Sequence, residues 1–369
     1  MRPFLPPISL KPETVPTKSF DVKTDLIFPG KWNGKFDWKD FSDPVSFFPD
    51  AKSNNRVEMR EHKIAKLNVI LKTVDITDYK KDMKYIEREV AALNKVRESP
   101  YKFIIGYYGC GVESSVHRRY FLCTEVMEGS LLSLRLKLGR VYDDPMILRY
   151  VNYGMVMALD YLYSGDKNII HRDIKPDNIL FQTSARSSGN KGEKWLCVKL
   201  TDFGISRTLL DNGASTAMDG TLKYRAPERK DNLQLADLEQ TDRKYRVYGI
   251  ETDIWSLGLT VLEMALEEYP LEERVKANGD LKRVLSAYCY EPFTIIDEDK
   301  LQTKAGTSRV RNRILPLLIK YLEKCIAPAA DRAKDYATLK ELTYVKDFVA
   351  SAGELYDKKT GKLKYNEQR

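Results

Sequence analysis

The stretch IIHRDIKPDNILF, from Ile169 to Phe181, sets a histidine, an arginine, two aspartates, a lysine and an asparagine between apolar shoulders. Side chains of these types suit proton transfer, charge neutralisation and the holding of a hard cation. Asp202 follows about twenty-nine residues after Asp173, in the turn TDFG, and RAPE comes later still. Asp, Asn and Pro are also ordinary turn residues, so the stretch by itself could be a polar turn between two strands. A turn, however, calls for neither Lys175 nor Asn178 at their offsets from Asp173, nor for further motifs downstream.

Polar groups placed in this way need rigid elements to aim them. KLNVILKTV (66–74) is a β-branched run of strand length, and MKYIEREVAAL (83–93) puts Met83, Ile86, Val90 and Leu93 on one helical stripe. RYFLCTEV reads as a buried strand, and DPMILRYVNYGMVMALDYLY as a long amphipathic helix that leads into the polar stretch. WLCVKLTDFG is a strand ending in a turn, and ETDIWSLGLTVLEMAL is a helix apolar almost all round, hence buried. QTSARSSGNKGEK (182–194) reads as a flexible loop between strands. Strands crowd the first third and helices the rest, so the expected class is α+β, a small β-rich lobe with a larger α-helical one. Residues 1–45, rich in Pro, Gly and Lys and without a sustained period, are expected to form a loosely ordered extension, with the fold starting near Phe47.

Composition bounds the partners. A chain of 369 residues, 43% hydrophobic, can bury a large core. A net charge of +8, from 61 basic and 53 acidic residues, is too diluted to argue for nucleic acid. The five cysteines are scattered without C-x-x-C spacing, which fits reduced thiols and a cytoplasmic or nuclear location. Prolines break the apolar start MRPFLPPISL, and no run reaches membrane-spanning length, so no membrane partner is expected.

HRDIKPDN, TDFG and RAPE, in this order, resemble the motifs of protein kinases. The resemblance implies a bilobal kinase domain over 46–348, with an N-lobe of about 46–125, a C-lobe of about 129–348 and a C-terminal tail at 349–369. It also implies ATP and Mg²⁺ as cofactors. Asp173 would accept the proton of the substrate hydroxyl and Lys175 would neutralise the transferring γ-phosphoryl group. Asn178 and Asp202 would hold magnesium. Lys72 would meet the α- and β-phosphates and pair with Glu89, with Glu87 as the rival partner on the same helix. Main-chain groups of Glu125 and Met127 would bond adenine, behind the small gatekeeper Thr124. Val57 and Leu180 fall among the nucleotide-binding positions. Glu228 would pair with Arg332, tying the platform around APE to the late helices, and Asp253 would hold the backbone of the catalytic loop.

The nucleotide loop departs from this pattern. Where the family carries G-x-G-x-x-G-x-V, this chain has DAKSNNRVEM, with Asp50, Lys52 and Asn55 in the glycine places. Glycine lets backbone N–H groups approach phosphates closely, so weaker use of ATP is expected. Within the family, SPYKFIIGYYG, DFGISRTLLDNGASTAMDGTLKYRAPER and YGIETDIWSLGLTVLEMALEEYP are similar to MAP kinase kinases. That likeness implies a MAP kinase as protein substrate, dual specificity and an upstream activating kinase. Thr216, or its neighbour Ser215, would be the regulatory hydroxyl, its phosphate docking on Arg172, while Asn212 stands where the other hydroxyl belongs. Gly220 and Thr221 would shape the peptide platform. Basic residues ahead of spaced apolar ones occur in MRPFLPPISL and at Lys358, Lys359 and Leu363, and both segments are read as solvated tails rather than docking motifs. The rival functions are a catalytically weak pseudokinase scaffold and a serine/threonine kinase outside the MAP kinase cascade.

Overall fold

A computed structural model describes residues 35–48, 55–75, 79–114, 119–138, 145–185, 193–203, 207–208, 221–229, 249–306 and 308–366. They fall into two compact units: one reaches Pro100 and includes Ile105–Val126, the other comprises Tyr101–Ile104 and the residues from Met127 onward. No helix among them is long and apolar enough to cross a membrane.

Among the described residues, the smaller unit has a six-stranded sheet and one α-helix. Its strands are β1 (Lys35–Asp37), β2 (Ser46–Phe48), β3 (Asn55–His62), β4 (Leu67–Asp75), β5 (Tyr107–Ser114) and β6 (Arg119–Thr124), and its helix is α1 (Tyr79–Glu98). The spatial order is β1-β5-β6-β4-β3-β2. Strand β4 alternates, burying Val69, Leu71 and Thr73 and sending Lys72 to the other face. Val57 of β3 and Leu122 of β6 stand directly opposite Lys72 and so share its face. Helix α1 buries Ile86, Glu89, Leu93 and Val96, spaced three or four apart, while Val90 is only half-buried. The expected stripe is therefore rotated, and a glutamate takes an inner position.

The loosely ordered extension is corrected between Lys35 and Val45. β1 pairs in parallel with β5 at one edge of the sheet, and β2 pairs antiparallel with β3 at the other. The chain between them crosses the face opposite Lys72 as a strap. Phe36 and Phe41 pack there against Val69, Leu71, Phe121 and Cys123, with Trp38 beside them. Arg60 lays its guanidinium 4.3 Å from the Trp38 ring centroid, donates to Ser42 O at 2.7 Å and pairs with Glu58 at 2.8 Å. The strap had no visible period because its aromatic residues are buried one at a time by a crossing segment, not along an element.

In the larger unit the strands are β7 (Gly129–Ser130), β8 (Ile169–Ile170), β9 (Ile179–Ala185), β10 (Glu193–Leu200), β11 (Arg207–Thr208), β12 (Tyr356–Asp357) and β13 (Lys362–Asn366). The helices are α2 (Leu131–Leu138), α3 (Pro145–Tyr163), α4 (Glu251–Leu266), α5 (Glu272–Asn278), α6 (Leu281–Tyr290), α7 (Glu298–Ala305), α8 (Arg309–Cys325), α9 (Tyr336–Glu341), α10 (Thr343–Lys346) and α11 (Phe348–Ala352). Helix α4 is buried on every side between Thr252 and Leu262, as its composition implies. β9 and β10 pair out to Ala185 and Lys194, so the ends of the expected loop 182–194 belong to strands.

The solvated C-terminal tail is likewise corrected. β13 pairs antiparallel with β10, giving a sheet of order β12-β13-β10-β9-β7. Leu363 is 1% exposed, and Tyr356 and Tyr365 are buried with it. The hydroxyl of Tyr150 in α3 lies 2.8 Å from Gly361 O and 3.2 Å from Leu196 O, tying this hairpin to the core. The basic pair ahead of Leu363 thus belongs to a folded hairpin.

Candidate active site

Two strands and the buried helix α4 fix the loop 171–178. It leaves β8 and enters β9 through a short 3-10 turn, Pro176–Asn178, whose proline has no N–H to leave unpaired. Asp253, in the first turn of α4 and wholly buried, accepts the backbone N–H groups of His171 and Arg172, each at 2.7 Å. Burial pushes its carboxyl above the usual range, and the His171 and Arg172 interactions pull the other way. Arg172 needs this support, because its φ of 73° is a conformation that side-chain-bearing residues rarely adopt.

The side chains that follow converge on Asp173. Its Oδ2 accepts from Lys175 Nζ at 2.8 Å and from Asn178 Nδ2 at 2.9 Å, and its Oδ1 accepts from the Thr221 backbone N–H at 2.9 Å. Lys175 Nζ also donates to Thr221 Oγ1 at 2.6 Å. Thr221 was expected only to shape a peptide platform, so its bond to Lys175 was missed. Its position just ahead of APE was the one available signal. The carboxylate is held in one orientation by charge-assisted bonds, as a positioned proton acceptor must be.

Asp202 is brought to the same loop through its neighbours. Thr201 donates its N–H to Asn178 O at 2.9 Å, and its carbonyl lies 3.0 Å from His171 Nε2. The Phe203 ring meets the His171 ring edge-on at 5.1 Å. Between these anchors Asp202 takes a φ of 65°. Magnesium fits this donor set. Asn178 turns Nδ2 toward Asp173 O and Oδ2, which leaves its Oδ1 as an acceptor, and an amide oxygen with a carboxylate suits a hard cation that keeps waters and phosphate oxygens as further ligands.

In the smaller unit, Lys72 Nζ pairs with Glu89 Oε1 at 3.3 Å, whereas Glu87 is exposed. Val57 is half-buried opposite Lys72, and the residues expected in the glycine places at Asp50 and Lys52 lie outside the described residues. Strand β6 ends at Thr124, as expected. The N–H of Glu125 is committed to Gly106 O at 2.9 Å, and its carboxylate accepts from Gly106 N at 2.5 Å. The Glu125 carbonyl accepts from the Thr124 hydroxyl at 3.4 Å. Met127 opens the larger unit and is buried there, as is Phe181, while Leu180 of β9 is half-buried.

Arg332 makes a two-pronged pair with Glu228, Nη1 to Oε1 at 2.6 Å and Nη2 to Oε2 at 3.1 Å. It also donates to Glu251 O at 3.0 Å and lies 4.8 Å over the Trp255 ring. The pair ties APE itself to both α4 and the late helices, fixing geometry more than adding stability. Thr216 and Ser215 lie outside the described residues. Arg172 is 4% exposed.

A β-rich unit carrying a lysine–glutamate pair and a helical unit carrying this loop define a protein kinase, and the chain belongs to that family: residues 55–329 match the protein kinase domain. It is similar to the dual specificity mitogen-activated protein kinase kinase jkk-1 of Caenorhabditis elegans, 30% identical over 293 residues, 78% of this chain and 57% of that protein. It is also similar to the MAP kinase kinase PBS2 of Saccharomyces cerevisiae, 30% identical over 346 residues, 88% of this chain and 45% of that protein. With the dual specificity mitogen-activated protein kinase kinase dSOR1 of Drosophila melanogaster it shares 35% identity over 189 residues, 51% of this chain and 39% of that protein. The chain spans about half the length of these relatives.

Proposed function

We propose that the protein transfers the γ-phosphoryl group of ATP to hydroxyl groups of a protein substrate, and that this substrate is a MAP kinase modified on threonine and tyrosine. The observation that carries the reading is the Asp173 carboxylate, oriented at once by Lys175, Asn178 and Thr221. Asp173 takes the hydroxyl proton as the substrate oxygen bonds the γ-phosphorus and the bond to ADP breaks. Lys175, paired with Asp173, balances charge that moves onto the phosphoryl oxygens, and Lys72, paired with Glu89, supplies the cation for the remaining phosphates. Asn178 and Asp202 would hold magnesium, which would supply charge neutralisation on the triphosphate. Activation runs through phosphorylation at Thr216 or Ser215 by an upstream kinase, and the five free cysteines suit a reducing compartment such as cytoplasm or nucleus.

The glycine-free DAKSNN segment favours a second reading, a weakly catalytic scaffold. A hydrogen bond to a charged group is worth roughly 1.5–3 kcal/mol, so losing one or two loop contacts weakens nucleotide binding without abolishing it. Incubating the full chain with labelled ATP, magnesium and an inactive MAP kinase, then mapping the phosphosites, tests both. Label on a threonine and a tyrosine of the activation loop is the expected result. Label on serine alone puts the enzyme outside the cascade, and no label above an Asp173→Asn control leaves the scaffold.

A further inference from the structure

The matched kinase domain ends at residue 329, and the hairpin of β12 and β13 lies beyond it, outside the catalytic motifs. Its turn is closed by its own bonds. Gly361 donates its N–H to Asp357 O at 2.7 Å, and the Asp357 carboxylate accepts from Lys359 N at 2.9 Å and from the Thr360 hydroxyl at 2.7 Å. Within this turn the Lys358 carbonyl accepts from the amine of Lys102, 256 residues earlier in the chain. The same amine lies 5.7 Å from the centroid of the Tyr356 ring and 5.6 Å from that of Phe103, within reach of both π faces. Burial pulls its pKa down, with the Asp357 carboxylate pulling the other way. Gly361 makes the room: its φ is 72°, and a Cβ there would fall 2.6 Å from Lys102 Cδ.

Lys102 belongs to the short segment Tyr101–Ile104, which reaches the end of β10. Phe103 O accepts from Leu200 N at 2.8 Å, and Ile104 forms a parallel bridge with Leu200. Asp202 is two residues further on. The Phe103 ring is 1% exposed and meets Tyr150 and Tyr153 of α3 at centroid distances of 6.2 and 6.1 Å. A Cβ on Gly154 of the same helix would come 2.9 Å from that ring, so the packing leaves it no slack. A displacement of Lys102 therefore passes to Leu200 rather than being absorbed.

We propose that the C-terminal hairpin is a positioning element for phosphotransfer, with Lys102 as the positioning residue that fixes Leu200 and thereby the place of Asp202. The proposal rests on the reading of Asp202 and Asn178 as magnesium ligands. Strand β10 is then held from two sides, by β13 where Leu196 faces Leu363 and by Phe103 at Leu200. Asp202 takes its φ of 65° directly after this clamp, and a conformation of that kind persists only where its surroundings over-determine it. Lys102 acts through the backbone, not on the nucleotide.

Calorimetric titration of ADP into the full chain, once with magnesium and once with a chelator in its place, isolates the metal's share of binding. In the wild type magnesium should strengthen ADP binding, and Asp202→Asn should remove most of that gain. Lys102→Met should cut the gain about tenfold, the lower end of what the outer partners of a metal ligand are worth, while metal-free ADP binds as before. Lys102→Arg, which keeps a cationic donor, should restore it. Gly361→Ala disturbs the same contact from the hairpin side and should reproduce the loss; if Lys102→Met fails to fold, this variant decides by the same two arms. Wild-type affinities in both arms overturn the proposal, and so does an equal fall in both, the mark of general damage. A wild type with no magnesium gain removes the reading of Asp202 as a ligand and this inference with it. A gain lost in Asp202→Asn but kept in Lys102→Met sinks this inference alone.

Discussion

The catalytic loop of the larger unit and the strapped sheet of the smaller one reach rigidity by different physics. Around Asp173, directional bonds of 2.6–2.9 Å from Lys175, Asn178 and Thr221 leave each polar atom one place to be. Across the sheet, Phe36, Trp38 and Phe41 hold by contact area, with backbone pairing at the two ends of the strap. Area is not directional, so it secures the sheet without dictating where any one atom lies. The comparison teaches where damage shows: in the loop it should appear as lost rate in a folded protein, and in the strap as lost stability.

The sharpest break would come from Asp173→Asn, which keeps the shape but removes the carboxylate. A loss of about 10²–10⁴-fold in phosphotransfer with a nearly unchanged melting transition is expected, and an unaltered rate would undo the distinction. Phe41→Ala, which empties a site 3% exposed, should destabilise by about 3–5 kcal/mol in a urea titration. A cost under 1 kcal/mol would mean that the strap is a passenger. Leu363→Ala extends the comparison to the other terminal segment, with about 2–5 kcal/mol expected by the same measurement.

The smallest effect is on pH. His62 packs against Phe36 and Phe41, at centroid distances of 5.3 and 5.4 Å, and its Nδ1 accepts from Ala65 N at 3.0 Å, a role only the neutral ring can fill. Burial holds its imidazole below the ordinary 6.5, with Asp40 pulling upward. On acidification the unfolded chain takes the proton first, so stability is level above pH 6.5 and falls below it. His62→Gln should flatten that slope in denaturation curves collected across the range.

The polar constellation was legible because its meaning lies in residue type and short spacing. His171, Asp173 and Asn178 sit within one loop, and their neighbours in the chain are their neighbours in space. The pairing of Lys72 with Glu89 was legible too, since a strand and the next helix make a short circuit. Thr221 was not read as a partner of Lys175, because 46 residues separate them and a threonine announces nothing. The strap was missed because its rings obey no period. The terminal hairpin did carry a signal, Leu363 and Tyr365 alternating with Lys362 and Lys364, but five residues amid lysines look like a solvated tail.

The strap has a practical corollary for anyone expressing this protein. The span shared with the kinase family opens at residue 55, after both outer strands of the small sheet have already been laid down. A recombinant fragment cut to that border would present unpaired β5 and β3 borders and a greasy patch over Val69, Leu71 and Phe121, the combination that drives chains to stick to one another.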